Sequence, residues 1–316
     1  MRETTIRPLL HRAAALAVLA LAVACGGGEP RTEDAPPEAA APAAAPTSGP
    51  ITVSDVGFAT PESVLHERMS DVYLVSNING TPLEKDGNGF ISRLSPEGEV
   101  LALKWIDGAA EGVTLNAPKG MAVEGSTLYV ADIDCIRLFD VVSGAPTGEV
   151  CPEGATFLND VAHHPDGGVL FTDSGLDASF TPSGTDALYH LMGDQAMPVV
   201  MDPGFGAPNG VAVGEAGVYV VTFMSGQVFQ VTGENQRTEV LAVEGAQFDG
   251  VEFLDDGRTL LSDWAASCVH VLATDGALTC PYGDLEAPAD IGVDRERNRL
   301  LVPLFNANQV RIIPLG

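Results

Sequence analysis

The stretch APNGVAVGEAGVYVVTFMSGQVFQVTGENQRTEVLAV, residues 207–243, contains four short apolar segments in succession. The segments are GVAV, VYVVTF, GQVFQVT and RTEVLAV, and glycine-rich or polar turns separate them. Apolar and polar residues that alternate with a period of two between such turns are typical of antiparallel β-hairpins. The stretch therefore predicts one four-stranded antiparallel sheet.

The same arrangement recurs along the chain, and one polar residue stands just ahead of the first strand each time. These residues are Glu62 (ATPESVL), Lys119 (APKGMAV), Asn159 (FLNDVAH), Asn209 (APNGVAV), Asp249 (QFDGVEF) and Asp290 (APADIGV). They are separated by 57, 40, 50, 40 and 41 residues. A repeat of this length built from strands predicts a β-propeller in which every repeat forms one blade. Since no window shows a convincing helical period, we predict an all-β fold.

The last repeat is one strand short. LEAPADIGV, RLLVPLF and NQVRIIPL supply three strands before Gly316. The segment ITVSDVGF, residues 51–58, precedes the first blade and is free to supply the fourth, which would join both chain ends in one sheet and leave no open edge. We predict a six-bladed propeller closed by this N-terminal strand, with five blades and an extra hairpin as the alternative.

The first 50 residues differ in composition from the rest. Three arginines precede an apolar run over residues 13–24, which is too short to span a bilayer and is typical of a secretory signal. The run ends in LAVAC and resembles the lipidation signal of bacterial lipoproteins, with Cys25 as the lipidated residue. An ordinary cleaved signal is the alternative. The Pro- and Ala-rich residues 25–50 predict a disordered tether, so the propeller is expected over residues 51–316.

Charge and anchoring define the expected partners. The formal net charge is −27, which excludes a nucleic-acid partner on electrostatic grounds. Acyl chains on Cys25 would anchor the protein to a membrane. By analogy with bacterial lipoproteins, Gly26 after the cysteine favours the periplasmic side of the outer membrane. We expect a monomer that acts on a small molecule.

The other four cysteines form two local pairs. Cys135 and Cys151 lie symmetrically about one predicted turn, and Cys268 and Cys280 about another. Both pairs would face each other across a hairpin, and an exported protein meets an oxidising compartment. We predict two disulfides; zinc binding is the alternative, without a supporting CxxC or His-rich spacing.

If the innermost strands open with the recurring residues, these side chains converge on the central channel. Carboxylate and carboxamide oxygens are hard ligands, suited to Ca²⁺, Mg²⁺ or Mn²⁺. Glu62, Asp249 and Asp290 carry three negative charges and Lys119 one positive charge, a balance that one divalent cation would neutralise. Asn209-Gly210 and Asp249-Gly250 have a second interpretation as simple tight turns, although they precede strands rather than link them.

The pattern resembles the regucalcin/gluconolactonase family and, more distantly, paraoxonase and strictosidine synthase-like propellers, over about residues 55–310. In that family a divalent metal is bound by residues that match Glu62, Asn159, Asn209 and Asp249 here. The resemblance implies metal-assisted hydrolysis of a lactone or another ester, with calcium the first choice and magnesium, manganese or zinc as other candidates. It implies that Asp249 ligates the metal and accepts the proton of the attacking water.

Substrate contacts are predicted for Lys119, Asn159 and Asp290. Lys119 departs from the family pattern, because its ammonium either binds an anionic substrate or replaces the cation through an internal ion pair. The alternative function is therefore a non-enzymatic propeller at the outer membrane that binds a ligand or a protein, with a structural cation or the Lys119 ion pair in the channel.

Other polar residues have structural interpretations. Asp132, Asp173 and Asp263 end second strands and are expected to brace loops between blades or to surround the site as a second layer. At least one residue of His163-His164 is expected to be a solvated edge residue. The loops 77–89 and 174–186 are expected to determine the substrate.

Overall fold

The computed structural model describes residues 49–316. The predicted signal over residues 1–24, the predicted lipidation site Cys25 and almost all of the predicted tether lie outside the described residues. None of the described residues belongs to a helix long and apolar enough to cross a membrane.

The described residues form six four-stranded antiparallel sheets, and in five of them the strands follow the chain from the innermost to the outermost strand. The first blade consists of β2 (Pro61–Glu67), β3 (Val72–Asn77), β4 (Phe90–Leu94) and β5 (Val100–Asp107). The second consists of β6 (Pro118–Glu124), β7 (Thr127–Asp132), β8 (Cys135–Asp140) and β9 (Pro146–Val150). The third consists of β10 (Leu158–His163), β11 (Val169–Asp173), β12 (Ala187–Met192) and β13 (Gln195–Met201).

The remaining blades repeat this order. The fourth consists of β14 (Pro208–Gly214), β15 (Gly217–Thr222), β16 (Gln227–Gly233) and β17 (Gln236–Ala242). The fifth consists of β18 (Phe248–Phe253), β19 (Thr259–Asp263), β20 (Cys268–Leu272) and β21 (Leu278–Tyr282). The sixth consists of β22 (Gly292–Asp294), β23 (Arg299–Leu304), β24 (Gln309–Pro314) and the N-terminal β1 (Ile51–Val53). The prediction of a six-bladed β-propeller is confirmed.

The N-terminal strand closes the ring as predicted. β1 pairs antiparallel with β24, and Ile51 lies opposite Ile312. An apolar cluster that includes Val53, Tyr73 and Leu301 packs the sixth blade against the first. The two chain ends are thus held in one sheet, and burial of this apolar surface stabilises the closed ring.

Polar contacts reinforce the same junction. The Tyr73 hydroxyl donates to Asp294 Oδ2 at 2.6 Å. The Arg297 guanidinium donates from one nitrogen to Asp71 at 2.9 Å and to Asp294 at 3.1 Å. Because Asp71 and Tyr73 belong to the first blade and the other two residues to the sixth, these charge-assisted hydrogen bonds fasten the first blade to the last.

Both predicted disulfides are present. Cys135 is bonded to Cys151 and Cys268 to Cys280, with Cα–Cα distances of 4.1 and 6.1 Å. Each bond joins the two outer strands of one blade, so the zinc alternative is wrong for these residues.

Replacing Cys135 and Cys151 together with serine is expected to lower the free energy of unfolding by about 3 kcal/mol. The bond closes a loop with a sequence separation of 16, and the lost constraint on the unfolded chain accounts for this value. Urea unfolding of the double variant beside the wild type measures the difference. An unchanged unfolding free energy would contradict the expectation.

Candidate functional site

The inner strands of the first five blades share one irregularity. In β2, pairing with β3 is regular at Pro61, is interrupted over Glu62 and Ser63, and resumes at Val64. The same two-residue interruption occurs in β6, β10, β14 and β18. A β-bulge of this kind re-aims a side chain. The first residue of the bulge in the five blades is Glu62, Lys119, Asn159, Asn209 or Asp249. The polar residue that recurs in the sequence is therefore the first residue of a β-bulge in each of these blades.

The glycines after three of these residues do not form turns. Asn209-Gly210 lies inside β14 and Asp249-Gly250 inside β18, so the tight-turn interpretation is wrong. A Cβ at Gly210 would lie 2.4 Å from the Asp249 carbonyl oxygen, and one at Gly120 would lie 2.5 Å from the Asp160 Cα. Glycine is required there because neighbouring inner strands approach each other closely around the channel.

Asp290 does not share the position of the other five residues. Pro288 pairs with Leu304 and Gly292 with Leu301, so Ala289 occupies the position equivalent to Glu62. Asp290 follows one residue later and accepts a hydrogen bond from Ser63 Oγ at 2.5 Å. Its placement with the other five is therefore corrected.

Asp290 lines a cavity of about 800 Å³ toward the ends of the inner strands that lie away from the bulges. We call it the second cavity. Asp160 lines it too, and sequence reasoning missed this buried carboxylate. The Asp160 carboxylate accepts hydrogen bonds from the amides of Val161 at 2.6 Å and Val211 at 2.7 Å. Asp160 thereby ties the third blade to the fourth.

The five bulge residues meet at one cavity of about 260 Å³. Each is 5% exposed or less. They come from five different blades, so the ring geometry alone brings them together. We call this space the polar-floored cavity, with Glu62, Lys119, Asn159, Asn209 and Asp249 as its floor.

Four buried oxygens of this floor have no hydrogen-bond partner among the described residues. They are Glu62 Oε2, Asn159 Oδ1, Asn209 Oδ1 and Asp249 Oδ1. Buried polar atoms are almost always paired, so four unpaired acceptors around one space are free to accept a cation or bound water. They belong to the four residues predicted as metal ligands. Two carboxylates and two carboxamides form an all-oxygen set that suits Ca²⁺, Mg²⁺ or Mn²⁺ better than Zn²⁺.

The orientation of one amide supports this interpretation. Asn159 Nδ2 donates to Ser174 Oγ at 3.1 Å, and Ser174 Oγ in turn donates to the Pro208 carbonyl at 2.7 Å. These two hydrogen bonds engage the Nδ2 group of the Asn159 amide and leave its Oδ1 without a partner among the described residues. The Asn159 side chain is thus held as an acceptor.

Lys119 does not neutralise the floor through a direct ion pair. Its Nζ donates to the Ala117 carbonyl at 2.9 Å and lies 4.8 Å from the centre of the Phe157 ring. Lys85 and Lys104 form ion pairs with aspartates, but within residues 49–316 Lys119 has no carboxylate oxygen within 4.0 Å. Burial lowers the pKa of Lys119 to about 8, although the charges of Glu62 and Asp132 act in the opposite direction.

The carboxyl groups of the floor are held in an unfavourable environment. Burial, followed by the charge of Asp249, raises the pKa of Glu62 well above its ordinary value. Burial, followed by the charge of Asp290, does the same to the pKa of Asp249. A divalent cation between these groups would relieve both effects.

The metal-free protein is expected to lose stability as the pH rises from 5 to 7.5. The folded-state pKa values of Glu62, Asp249 and Asp290 lie above their unfolded values, that of Asp290 at about 7. The folded chain therefore holds protons that the unfolded chain has released, and the stabilisation is lost as the pH passes the folded pKa values. The lowered pKa of Lys119 has the opposite effect, since it makes the protein more stable as the pH rises. This effect begins only above its folded-state pKa of about 8, outside the pH range considered.

Urea unfolding at both pH values in EDTA, and then in excess calcium, tests this expectation. The free energy of unfolding in EDTA is expected to fall by on the order of a few kcal/mol between the two pH values, since each pKa unit corresponds to about 1.4 kcal/mol. Calcium is expected to restore the stability at pH 7.5. Equal stability at both pH values in EDTA would contradict the account.

The aspartates that end second strands brace the loops leading into the site. Asp132 accepts hydrogen bonds from the backbone amides of Asn116 and Ala117, just ahead of Lys119. Asp173 accepts from the amides of Thr156 and Phe157, and Asp263 from the amide of Gln247. The bracing interpretation is confirmed for these three aspartates.

The histidine pair lies away from the polar-floored cavity. His163 is exposed and lines the second cavity, which confirms that one of the pair is a solvated edge residue. The rings of His164 and His190 pack with their centres 4.2 Å apart. His270 pairs with Asp263 at 3.0 Å. Each of these histidines has a local structural contact.

Comparison with known proteins identifies related structures but no related sequence family. No family model matches the chain, and no curated protein matches it by sequence. A gluconolactonase from Xanthomonas campestris superposes with a TM-score of 0.64 at 18% identity, covering 84% of this chain and 89% of its own. A calcium-binding regucalcin from Agrobacterium tumefaciens strain C58 gives 0.62 at 16% identity, covering 84% and 93%.

A protein named for different chemistry has the same fold. Virginiamycin B lyase from Staphylococcus aureus superposes with a TM-score of 0.59 at 10% identity, covering 84% of this chain and 99% of its own. The predicted resemblance to gluconolactonase- and regucalcin-like propellers is thus confirmed at the level of the fold. Identities this low establish the architecture alone, and the site must carry the function.

Proposed function

We propose that this protein is a divalent-metal-dependent hydrolase that opens a lactone or cleaves another carboxylic ester. The observation that carries the proposal is the set of four unpartnered buried oxygens at the polar-floored cavity. The gluconolactonase and regucalcin among the similar structures agree with a lactonase-type activity and with calcium as the first choice of ion.

Glu62, Asn159, Asn209 and Asp249 would hold the cation. When bound, a divalent cation polarises a carbonyl group and makes water a better nucleophile at neutral pH. The two charges of Glu62 and Asp249 equal the charge of the ion, so the charge of Lys119 is left for the substrate. Lys119 lies on the same floor and would stabilise negative charge that develops on the carbonyl oxygen.

Asp249 would act as general base. With Oδ1 on the cation, its other carboxylate oxygen, Oδ2, would accept the proton of the attacking water. Asn159 donates one Nδ2 hydrogen to Ser174 and would orient a polar group of the substrate through the other, while its Oδ1 holds the cation. The predicted substrate role of Asp290 is not part of this proposal, because Asp290 lines the other cavity.

Lys119→Met is expected to lower kcat by roughly 10²–10³-fold, the usual effect of removing a donor that stabilises an oxyanion. The variant should bind calcium at least as tightly as the wild type, because a neighbouring positive charge has been removed. Steady-state kinetics and calcium titration measure the two effects. If Lys119 were only a structural cation, stability would fall and kcat would stay within about twofold.

A panel of γ- and δ-lactones and aryl esters, assayed with calcium and with EDTA, tests the proposal. Hydrolysis that requires the ion and is lost in Glu62→Ala is the expected result. A calcium-loaded protein that hydrolyses no member of the panel would instead support the non-enzymatic propeller. Activity unaffected by EDTA and by Glu62→Ala would place the chemistry elsewhere.

We further propose that the protein is exported and anchored through lipid on Cys25 to the periplasmic side of a bacterial outer membrane, as a monomer. The apolar run over residues 13–24 and the LAVAC sequence that ends it at Cys25 support this location. Mass spectrometry of the N-terminal peptide, with Cys25→Ser as the control, tests for the added acyl chains. An unmodified Cys25 in membrane-extracted protein would contradict it.

A further inference from the structure

The wall above the polar floor consists almost entirely of apolar and aromatic side chains. The residues that line the polar-floored cavity outside the floor are Ile78, Pro82, Phe157, Ser174, Leu176, Phe180, Phe223, Trp264 and Phe305. Five of these nine are aromatic and three more are apolar. The Ser174 hydroxyl is already used by Asn159 and Pro208. Besides Ser174, the polar group of the wall is the indole N–H of Trp264, which lies beside the Asp249 carboxylate.

Two loops supply four of the wall residues. Ile78 and Pro82 come from the loop 77–89, and Leu176 and Phe180 from the loop 174–186. These are the loops expected to determine the substrate. Phe180 is half-exposed, and its ring lies edge-on to Phe157 with the centres 6.2 Å apart. An apolar ligand that enters the cavity would cover aromatic surface that otherwise faces solvent.

Such a wall disfavours a polyhydroxylated ligand. Every hydroxyl that leaves water must find a new partner, or its burial costs free energy. Polar groups are concentrated on the floor, where the proposed ion, Lys119 and the asparagines would contact the ester group. A sugar lactone would have to place most of its hydroxyls against the aromatic rings, which offer them a single N–H donor.

We propose that the substrate is an apolar lactone or ester, whose hydrocarbon part lies against this aromatic wall, and not a sugar lactone. This inference rests on the proposed hydrolase function for the identity of the reacting group. The hydrocarbon part is small, because the cavity of about 260 Å³ lies just below the range of about 300–1,000 Å³ that holds drug-sized ligands.

Trp264 provides a direct reporter of binding. The chain has two tryptophans, and Trp105 lies on β5 at the outside of the first blade, with Arg93 over its ring at 4.9 Å. In a Trp105→Phe variant, tryptophan emission therefore comes from Trp264 in the cavity wall. Calcium-loaded protein would be titrated with δ-lactams bearing alkyl chains of one to five carbons, which resist hydrolysis, and with gluconolactam.

The affinity is expected to rise roughly fourfold for each methylene until the cavity is filled. Gluconolactam is expected to bind at least about tenfold more weakly than the best alkyl lactam. Affinity that does not change with chain length, tighter binding of gluconolactam, or no binding of any alkyl lactam would overturn the inference.

Phe180→Ser tests the wall itself. Phe180 is 50% exposed, so its replacement leaves the folded core intact, and it should weaken the longest-chain lactam by roughly tenfold while the one-carbon lactam is unaffected. Val240→Ser, at a residue 48% exposed on the outer strand β17, is the matched control with no effect on either ligand. An equal loss for both lactams would show a structural effect and contradict the role of the wall.

The lactone panel separates the two proposals. Alkyl lactams that bind as expected, with no lactone or ester hydrolysed, would reject the hydrolase and leave the apolar ligand site standing. Hydrolysis of gluconolactone with a higher kcat/KM than any alkyl lactone would keep the hydrolase and reject the apolar substrate.

Discussion

Asp249→Asn is expected to lower both calcium affinity and kcat/KM by more than about 100-fold. The substitution keeps the shape of the side chain but removes a negative charge from the floor. Asp249 Oδ1 is buried and has no partner among the described residues, so it is free to ligate a cation. Loss of an outer-shell partner alone costs about 10–100-fold at metal sites, and loss of a charged ligand should cost more.

The same substitution is expected to stabilise the metal-free protein at pH 7.5. Burial, followed by the charge of Asp290, raises the pKa of the Asp249 carboxyl, so at this pH its ionised form is disfavoured in the folded state. A neutral amide removes that cost. Asp249→Asn should therefore gain stability in EDTA and lose the stabilisation by calcium, two effects of opposite sign that a general folding defect does not produce.

Asp290→Asn is the control that shows whether the loss of calcium depends on which cavity the substituted carboxylate lines. Asp290 is buried and also has a raised pKa, but it lines the second cavity. The variant should still bind one calcium ion per chain and keep its activity within about tenfold. If Asp290→Asn and Asp249→Asn lost calcium equally, the assignment of the ligands to the polar-floored cavity would be wrong.

Gly210→Ala is expected to destabilise the protein by about 3 kcal/mol or more. A methyl group there would lie 2.4 Å from the Asp249 carbonyl oxygen and 3.1 Å from the Gly250 Cα. Both are backbone atoms of the neighbouring inner strand, which cannot move aside without opening the ring. Overpacking of this kind costs about 1–3 kcal/mol in ordinary cores, and it costs more where backbone must shift.

Gly148→Ala is the matched control for this substitution. Gly148 lies in β9, and no other atom lies within 4 Å of an added Cβ. Thermal unfolding should show a midpoint lowered by roughly 6–12 °C for Gly210→Ala and almost unchanged for Gly148→Ala. Equal midpoints for the two variants would mean that the inner strands are not packed as closely as described.

The fold could be predicted because each blade is a local pattern. Strands alternate with a period of two and hairpin turns lie between them, so the four-stranded unit can be seen within a single repeat. The closure by residues 51–58 followed from the missing strand of the last repeat. The disulfides followed from cysteines placed symmetrically about turns.

The site could be predicted only where the alignment of the repeats was right. The sequence pattern places Asp290 one residue off, because the recurring position is polar in the other five repeats and Ala289 is not. The signal was present in the repeated Ala-Pro pair: Ala289 follows Ala287-Pro288 as Lys119 follows Ala117-Pro118. The register of the bulge then places Asp290 beside Ser63.

The aromatic wall could not be predicted from the repeat. Its rings come from positions 157, 180, 223, 264 and 305, which lie in connections of different length and share no motif. Only the closed ring brings them to one cavity. The free oxygens of the floor were likewise invisible in the sequence, because whether an amide is paired depends on distant partners such as Ser174 for Asn159.

The central claim is that Glu62, Asn159, Asn209 and Asp249 hold one divalent cation. Isothermal titration of calcium into EDTA-treated, desalted protein tests it most directly, with Asp249→Asn and Asp290→Asn titrated beside the wild type. The account predicts one site per chain in the wild type and in Asp290→Asn, and none in Asp249→Asn at the same concentrations. Absence of binding in the wild type for calcium, magnesium and manganese, or a site that survives Asp249→Asn unchanged, would contradict it.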